Sequence, residues 1–163
     1  MPKDIEWHMI GHVQTNKVKF MAEYVSLIHG VDSLKLLLEI DKQAQKHHRI
    51  IDCLLQMYIA NEDTKFGLDD NELNDLLLGE TFKDLHHIRI VGLMGMATFT
   101  ENQSQIKNEF LHLKTIFDKH KNQITDNCQF QILSMGMSGD YALAIECGSN
   151  MVRIGSSIFG GRN

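Results

Sequence analysis

Short apolar runs alternate along this chain with amphipathic stretches, and this alternation limits the folds that are open to it. The runs suit strands that are buried on both faces, and the stretches between them carry apolar residues at three- and four-residue spacing, as helices do. The pattern predicts a parallel β-sheet with crossover helices. The six predicted strands are Trp7–Ile10, Val25–His29, Ile51–Ile59, Ile88–Met94, Phe130–Leu133 and Met151–Ile154.

Local signals indicate where helices begin and end between these strands. Capping side chains stand before three of the four helical stretches, and glycines follow two of them. The expected caps are Ser33, Asp69 or Asp70, and Ser138. The predicted helices are Leu34–His47, Asn71–Leu78, Gln103–Lys121 and Gly139–Cys147.

Two Gly/Ser-rich turns follow the last two predicted strands, at residues 134–140 and 151–157. Each turn leads into a segment that can start a helix, and so offers backbone N–H groups and the positive end of a helix dipole to an anion. Barrel enzymes often bind phosphate after their last two strands in this way. Ordinary strand-to-helix turns with serine caps are the alternative. The candidate phosphate-binding residues are Gly136, Met137, Ser138, Gly155 and Ser156.

Arg153 lies on the last predicted strand. Because side chains alternate along a strand, Val152 and Ile154 share one face, which suits the helix layer, and Arg153 faces the other way. A charge inside a parallel barrel is costly unless it has a partner. A phosphorylated cofactor and an ion pair with a helix carboxylate are the two candidate partners.

The late position of the turns bears on the type of α/β fold. An open doubly wound sheet normally carries its phosphate turn after the first strand, so turns after the last two strands favour a barrel. A closed (β/α)8 barrel has eight strands, and two are missing here. We therefore expect an α/β chain of the TIM-barrel type with six parallel strands and helices outside, forming a single incomplete domain over residues 1–163.

Composition excludes several classes of function. The net charge of -5 argues against nucleic-acid binding, and no apolar run approaches the roughly 20 residues that cross a bilayer. Three scattered cysteines do not form a disulfide framework, and the N-terminus lacks a signal core, so we expect a cytoplasmic protein. No metal-ligand set and no catalytic triad or paired carboxylates stand at a defensible spacing.

Six stretches in order resemble the YggS/PROSC family of pyridoxal phosphate homeostasis proteins, relatives of the alanine racemase barrel domain. They extend over the whole chain, and their order makes the resemblance specific. The stretches are Trp7–Lys17, Ile28–Ser33, Glu62–Gly67, Gly92–Met96, Ser134–Ser138 and Met151–Gly155.

The resemblance implies pyridoxal 5′-phosphate (PLP) as cofactor, with Arg153 at its pyridine nitrogen and the two turns at its phosphate. It also implies that His8 faces the site, although a histidine buried for structural reasons is an equal alternative. The family's first two strands, one of which carries the lysine that forms a Schiff base, have no counterpart in this chain. Lys65, in a loop after the third predicted strand, is the lysine with a claim on the cofactor's aldehyde.

Three functional hypotheses follow. The first is a PLP-binding protein of cofactor homeostasis that takes a small-molecule cofactor and passes it to PLP-requiring apo-enzymes. The second is a PLP-dependent racemase or decarboxylase, although such relatives add a second domain and a tyrosine acid/base. The third is a truncated fragment without independent function, whose open sheet edges would favour partial unfolding or self-association.

Overall fold

A six-stranded parallel sheet forms the centre of the protein, and its strands lie side by side in the order of the sequence. The computed structural model describes residues 2–63 and 66–161. The expected α/β class with six parallel strands is confirmed. The strands are β1 (Trp7–Met9), β2 (Val25–Val31), β3 (Ile51–Met57), β4 (Ile88–Gly95), β5 (Cys128–Met137) and β6 (Met151–Arg153).

Helices connect the strands and cover the outer face of the sheet. Ser33 and Asp69 act as the predicted caps: each accepts a hydrogen bond from a backbone N–H in the first turn, and Asp69 forms a reciprocal capping box with Glu72. No helix in the described part of the chain is both long and apolar enough to cross a membrane. The helices are α1 (Leu34–Lys46), α2 (Asp70–Leu78), α3 (Glu80–Lys83), α4 (Gln103–His120), α5 (Tyr141–Glu146) and α6 (Ser156–Phe159), with a 3₁₀ helix over Thr15–Phe20.

The sheet curls into a half-barrel. His29 on β2 and Ser134 on β5 are separated by two whole strands, yet their side chains are 3.0 Å apart across the concave face. The main apolar core lies between the convex face and the helices. A smaller cluster, built around Leu27, Leu54 and Met94, fills the concave side. The curvature therefore creates an interior in which side chains from distant strands meet.

The end of β5 differs from the sequence prediction. The strand continues to Met137, because Ser134 pairs with Met151 and Met137 pairs with Arg153. Helix α5 then begins at Tyr141 with Asp140 at its N-cap position, so the prediction that Ser138 caps this helix is wrong. Pairing with β6 supplies the hydrogen bonds that hold this glycine-containing segment in the sheet.

Candidate functional site

One cavity of ≈ 520 Å³ lies where β5 and β6 end, at the carboxyl edge of the sheet. The loop after β4, residues 96–100, forms the facing wall, together with Ile10 and Ile106. The cavity is thus shared by the ends of at least three strands, which is where barrel enzymes place their ligands. The lining includes the predicted residues Arg153, Gly136, Met137, Ser138, Gly155 and Ser156.

The two turns are joined by one hydroxyl group. Ser138 Oγ accepts hydrogen bonds from the N–H groups of Gly155 and Ser157, each at 3.3 Å. These contacts are at the long end of the normal range, and an anionic oxygen would be a stronger acceptor in the same place. Within residues 2–63 and 66–161, the N–H groups of Gly139 and Ser156 have no acceptor. The turns therefore present several donors to the cavity.

Gly136 and Gly155 have different roles in the two turns. A Cβ on Gly136, whose φ is +101°, would lie 2.6 Å from the Cβ of Ala144, so glycine at this position allows α5 to pack against β5. A Cβ on Gly155 would meet none of the described residues within 4 Å, so they leave space beside the backbone there. Of these two glycines, Gly155 is the one that directly leaves room for a ligand.

Asp140 is an acidic residue inside this cavity. Its carboxylate accepts a hydrogen bond of 2.7 Å from the N–H of Met137, one of the groups predicted to bind phosphate. An arriving anion therefore meets a negative charge and competes for that N–H group.

Arg153 is 8% exposed and points into the half-barrel. Its Nη1 donates to Ser134 Oγ at 2.6 Å, and its Nη2 donates to the Gly95 carbonyl oxygen at 3.0 Å. Both partners are neutral. Burial lowers the pKa of the guanidinium from 12.5 to about 10, and the charge of Asp140 acts in the opposite direction. The Arg153 side chain makes no further hydrogen bond within residues 2–63 and 66–161, so it brings a positive charge and additional donors to the cavity wall.

A chain of hydrogen bonds extends from Arg153 across the concave face. Ser134 Oγ lies 3.0 Å from His29 Nδ1, and His29 Nε2 lies 3.1 Å from Nδ1 of the exposed His8. Burial, and then the charges of Arg153 and His8, lower the pKa of His29 from 6.5 to about 3. His29 is therefore neutral near pH 7.

A buried carboxylate holds the loop that forms the facing wall. Glu109, on α4, accepts hydrogen bonds from the N–H and the hydroxyl group of Thr98 and from the N–H of Asn61. Asn61 follows β3 and Thr98 follows β4, so one carboxylate ties two loops at the carboxyl edge together.

The predicted site residues that do not line the cavity have separate positions. His8 contacts His29, so it reaches Arg153 only through His29 and Ser134. Lys65 lies outside the described residues.

Sequence reasoning missed the roles of Ser134 and His29. The available signal was a polar side chain in or beside an apolar strand, which needs a polar partner when it is buried.

The described part of the chain contains no group of three or more histidine, cysteine or acidic side chains placed to hold a metal ion. Its three cysteines, Cys53, Cys128 and Cys147, are buried free thiols. Burial raises the pKa of the Cys128 thiol to about 11, so this group stays protonated at neutral pH.

Comparison with known proteins connects this geometry to a family. The model of the alanine racemase N-terminal domain matches residues 3–163. Proteins named pyridoxal phosphate homeostasis protein are 36% identical in Pasteurella multocida and 38% identical in Aquifex aeolicus. In both comparisons the match covers 98% of this chain, and it covers 67% and 68% of those proteins, respectively. The chain thus spans about two thirds of the length of the curated relatives it matches.

Solved structures agree with the sequence matches. PipY of Synechococcus elongatus with PLP bound superposes with a TM-score of 0.84 at 29% identity, over 96% of this chain and 71% of PipY. An alanine racemase from Clostridium difficile, at 15% identity and a TM-score of 0.64, covers 98% of this chain and 41% of the racemase, and shows the fold alone. The chain belongs to the alanine racemase N-terminal domain family and, within it, to the YggS/PROSC group of pyridoxal phosphate homeostasis proteins.

Proposed function

We propose that this protein binds PLP in the cavity beside Arg153 and holds it for transfer to PLP-requiring apo-enzymes in the cytosol. The observation that carries the proposal is the convergence of a buried cation and two turns rich in N–H donors on one cavity of ≈ 520 Å³. Relatives that match 98% of the chain bear the name pyridoxal phosphate homeostasis protein. Buried free thiols suit the reducing cytosol.

The residues of the cavity fit the two ends of this cofactor. The N–H groups of Gly155, Ser156 and Ser157 suit a phosphate group, because they lie at the start of a helix and an anion can replace Ser138 Oγ as their acceptor. The charge of Arg153, which has only neutral hydrogen-bond partners in the described part of the chain, suits the ring nitrogen as acceptor.

Arg153 also bears on what the bound cofactor can do. PLP supplies an aldehyde and a ring that withdraws electrons. A guanidinium stays charged at neutral pH and donates to the ring nitrogen, so that nitrogen remains unprotonated and the ring withdraws electrons weakly. The turn at Gly155 and Ser156 is exposed, which leaves the phosphate end accessible. Both features suit storage and transfer better than turnover.

Equilibrium dialysis with PLP tests the proposal directly. Replacing Arg153 by Met removes one charge-assisted hydrogen bond to the ligand, and we expect the dissociation constant to rise about 10- to 100-fold. Arg89→Met is the matched control, because Arg89 forms a bidentate ion pair with Asp52 away from the cavity. Equal affinity of wild type and Arg153→Met would contradict the proposed site. Alanine racemisation faster than that by free PLP would favour an enzyme instead.

Borohydride reduction followed by peptide mapping tests covalent attachment. Stoichiometric label on Lys65 supports the prediction that this lysine takes the aldehyde. Label spread over many surface lysines, or none, contradicts it.

A further inference from the structure

Ser134, His29 and His8 form a row of hydrogen bonds behind Arg153. Counting their hydrogens shows which group donates and which accepts in each bond. Neutral histidine carries one N–H, and a serine hydroxyl donates one hydrogen bond. Ser134 Oγ already accepts from Arg153 Nη1. If His29 carries its hydrogen on Nε2, it donates to His8, and its Nδ1 accepts the Ser134 hydrogen. Every contact then has one donor and one acceptor.

The opposite tautomer of His29 leaves one hydrogen-bond donor without an acceptor among these side chains. With the hydrogen on His29 Nδ1, Ser134 Oγ would accept from both His29 and Arg153, and the serine's own hydrogen would have no acceptor among these side chains. His29 is 1% exposed and Ser134 is 0% exposed, so water does not readily replace that acceptor. An unused buried donor is costly. The first arrangement is therefore the stable one.

This direction determines how the guanidinium is held. A serine whose hydrogen is committed to His29 presents only lone pairs to Arg153, and the Gly95 carbonyl oxygen fixes the second nitrogen. Two fixed nitrogens set the plane of the guanidinium and aim its remaining N–H groups. Because Arg153 borders the cavity, these N–H groups are the ones available to a ligand.

Building on the proposed function, we propose that Ser134 and His29 are positioning residues, which together orient Arg153 toward the ring nitrogen of the cofactor. Neither side chain is among those that line the cavity in the described structure, so both act through Arg153. Ser134 and His29 make binding selective for a ring with an acceptor nitrogen, whereas the turns bind phosphate independently.

The test compares two ligands that cannot react with lysine. One is pyridoxine 5′-phosphate, and the other is its analogue with CH in place of the ring nitrogen. We expect wild type to prefer the nitrogen-containing ligand about tenfold or more, as a hydrogen bond to a charged group implies. Ser134→Ala and His29→Leu should reduce this preference to about twofold or less, because the guanidinium is no longer fixed.

Conservative variants and a distant control separate positioning from general stability. Ser134→Thr keeps the hydroxyl, and His29→Asn keeps an acceptor near the position of Nδ1, so both should retain the preference. His120→Leu removes a buried histidine whose Nδ1 lies 3.0 Å from Gln123 on the helix side, and it should also leave the preference unchanged. Inorganic phosphate should bind all variants equally.

The outcomes are distinguishable. If Ser134→Ala and His29→Leu keep the full preference, the positioning role is wrong while the proposed function stands. If wild type binds neither ligand, the proposed function is wrong and the positioning role falls with it. Ser134→Ala removes a single oxygen atom and decides the matter if His29→Leu does not fold. ¹⁵N NMR of ligand-free wild type provides a second reading, and a hydrogen on His29 Nδ1 would overturn the inferred direction.

Discussion

Replacing Arg153 by Met should leave the stability of the ligand-free protein nearly unchanged, although it removes a buried side chain with two hydrogen bonds. The guanidinium is 8% exposed, and its two direct partners, Ser134 and the Gly95 carbonyl, are neutral. Burial lowers its pKa from 12.5 to about 10. At about 1.4 kcal/mol per pH unit, this shift corresponds to roughly 3 kcal/mol that the folded state loses by keeping the group charged.

Methionine removes that cost and fills a similar volume. The substitution also removes two hydrogen bonds donated by a charged group, each contributing about 1.5 kcal/mol. The two terms nearly cancel, so the free energy of unfolding should change by less than about 1 kcal/mol, which for a chain of this size keeps the Tm within about 2–4 °C of wild type. A charge that costs stability without ligand is what a binding site requires, because the ligand then supplies the missing partner.

Urea denaturation followed by far-UV circular dichroism, with and without PLP, measures both effects. We expect the variant to match wild type within about 1 kcal/mol without PLP and to lose most of the stabilisation that PLP gives wild type. Arg89→Met should keep the full response to PLP, because it breaks only an ion pair with Asp52 away from the cavity. A loss of about 2 kcal/mol or more in ligand-free Arg153→Met would refute the reasoning, since Arg153 would then be a structural tie.

Three further predictions concern acid stability, anion binding and strand geometry. His29 has a folded pKa of about 3 against 6.5 unfolded, so wild type should lose stability as the pH falls below 6.5. The free energy of unfolding should fall by about 1.4 kcal/mol per pH unit, or about 3 kcal/mol by pH 4.5. Urea denaturation should show no such fall for His29→Asn, and an equal fall in both proteins would contradict the assignment. Asp140→Asn should tighten phosphate binding about two- to fivefold by calorimetry at low salt, and an effect that persists at high salt would argue against a charge effect. Gly92→Ala should destabilise by about 3 kcal/mol or more, because its Cβ would lie 1.7 Å from the Ile132 carbonyl oxygen. Gly139→Ala, whose Cβ meets nothing within 4 Å, is its control in the same denaturation assay.

Wherever a signal is local, the sequence alone was informative. Ser33 and Asp69 cap the predicted helices because a cap and the N–H groups it accepts from lie within three residues. Alternation along β6 likewise placed Arg153 opposite the helix layer, and the structure puts its side chain inside the half-barrel. The alternation of apolar and amphipathic stretches likewise predicted six parallel strands, which the sheet contains.

What the tertiary structure alone decided is the network behind Arg153. Cys128 and Phe130 pack in the outer core, so plain alternation would turn Ser134 outward as well. The register with β4 shifts between Ile90 and Gly92, and Ser134 faces the interior instead. Its contact with His29 joins residues 105 positions apart. Such contacts depend on pairing register and sheet curvature, which arise from many distant interactions together, so a polar residue in a strand does not show which partner it meets.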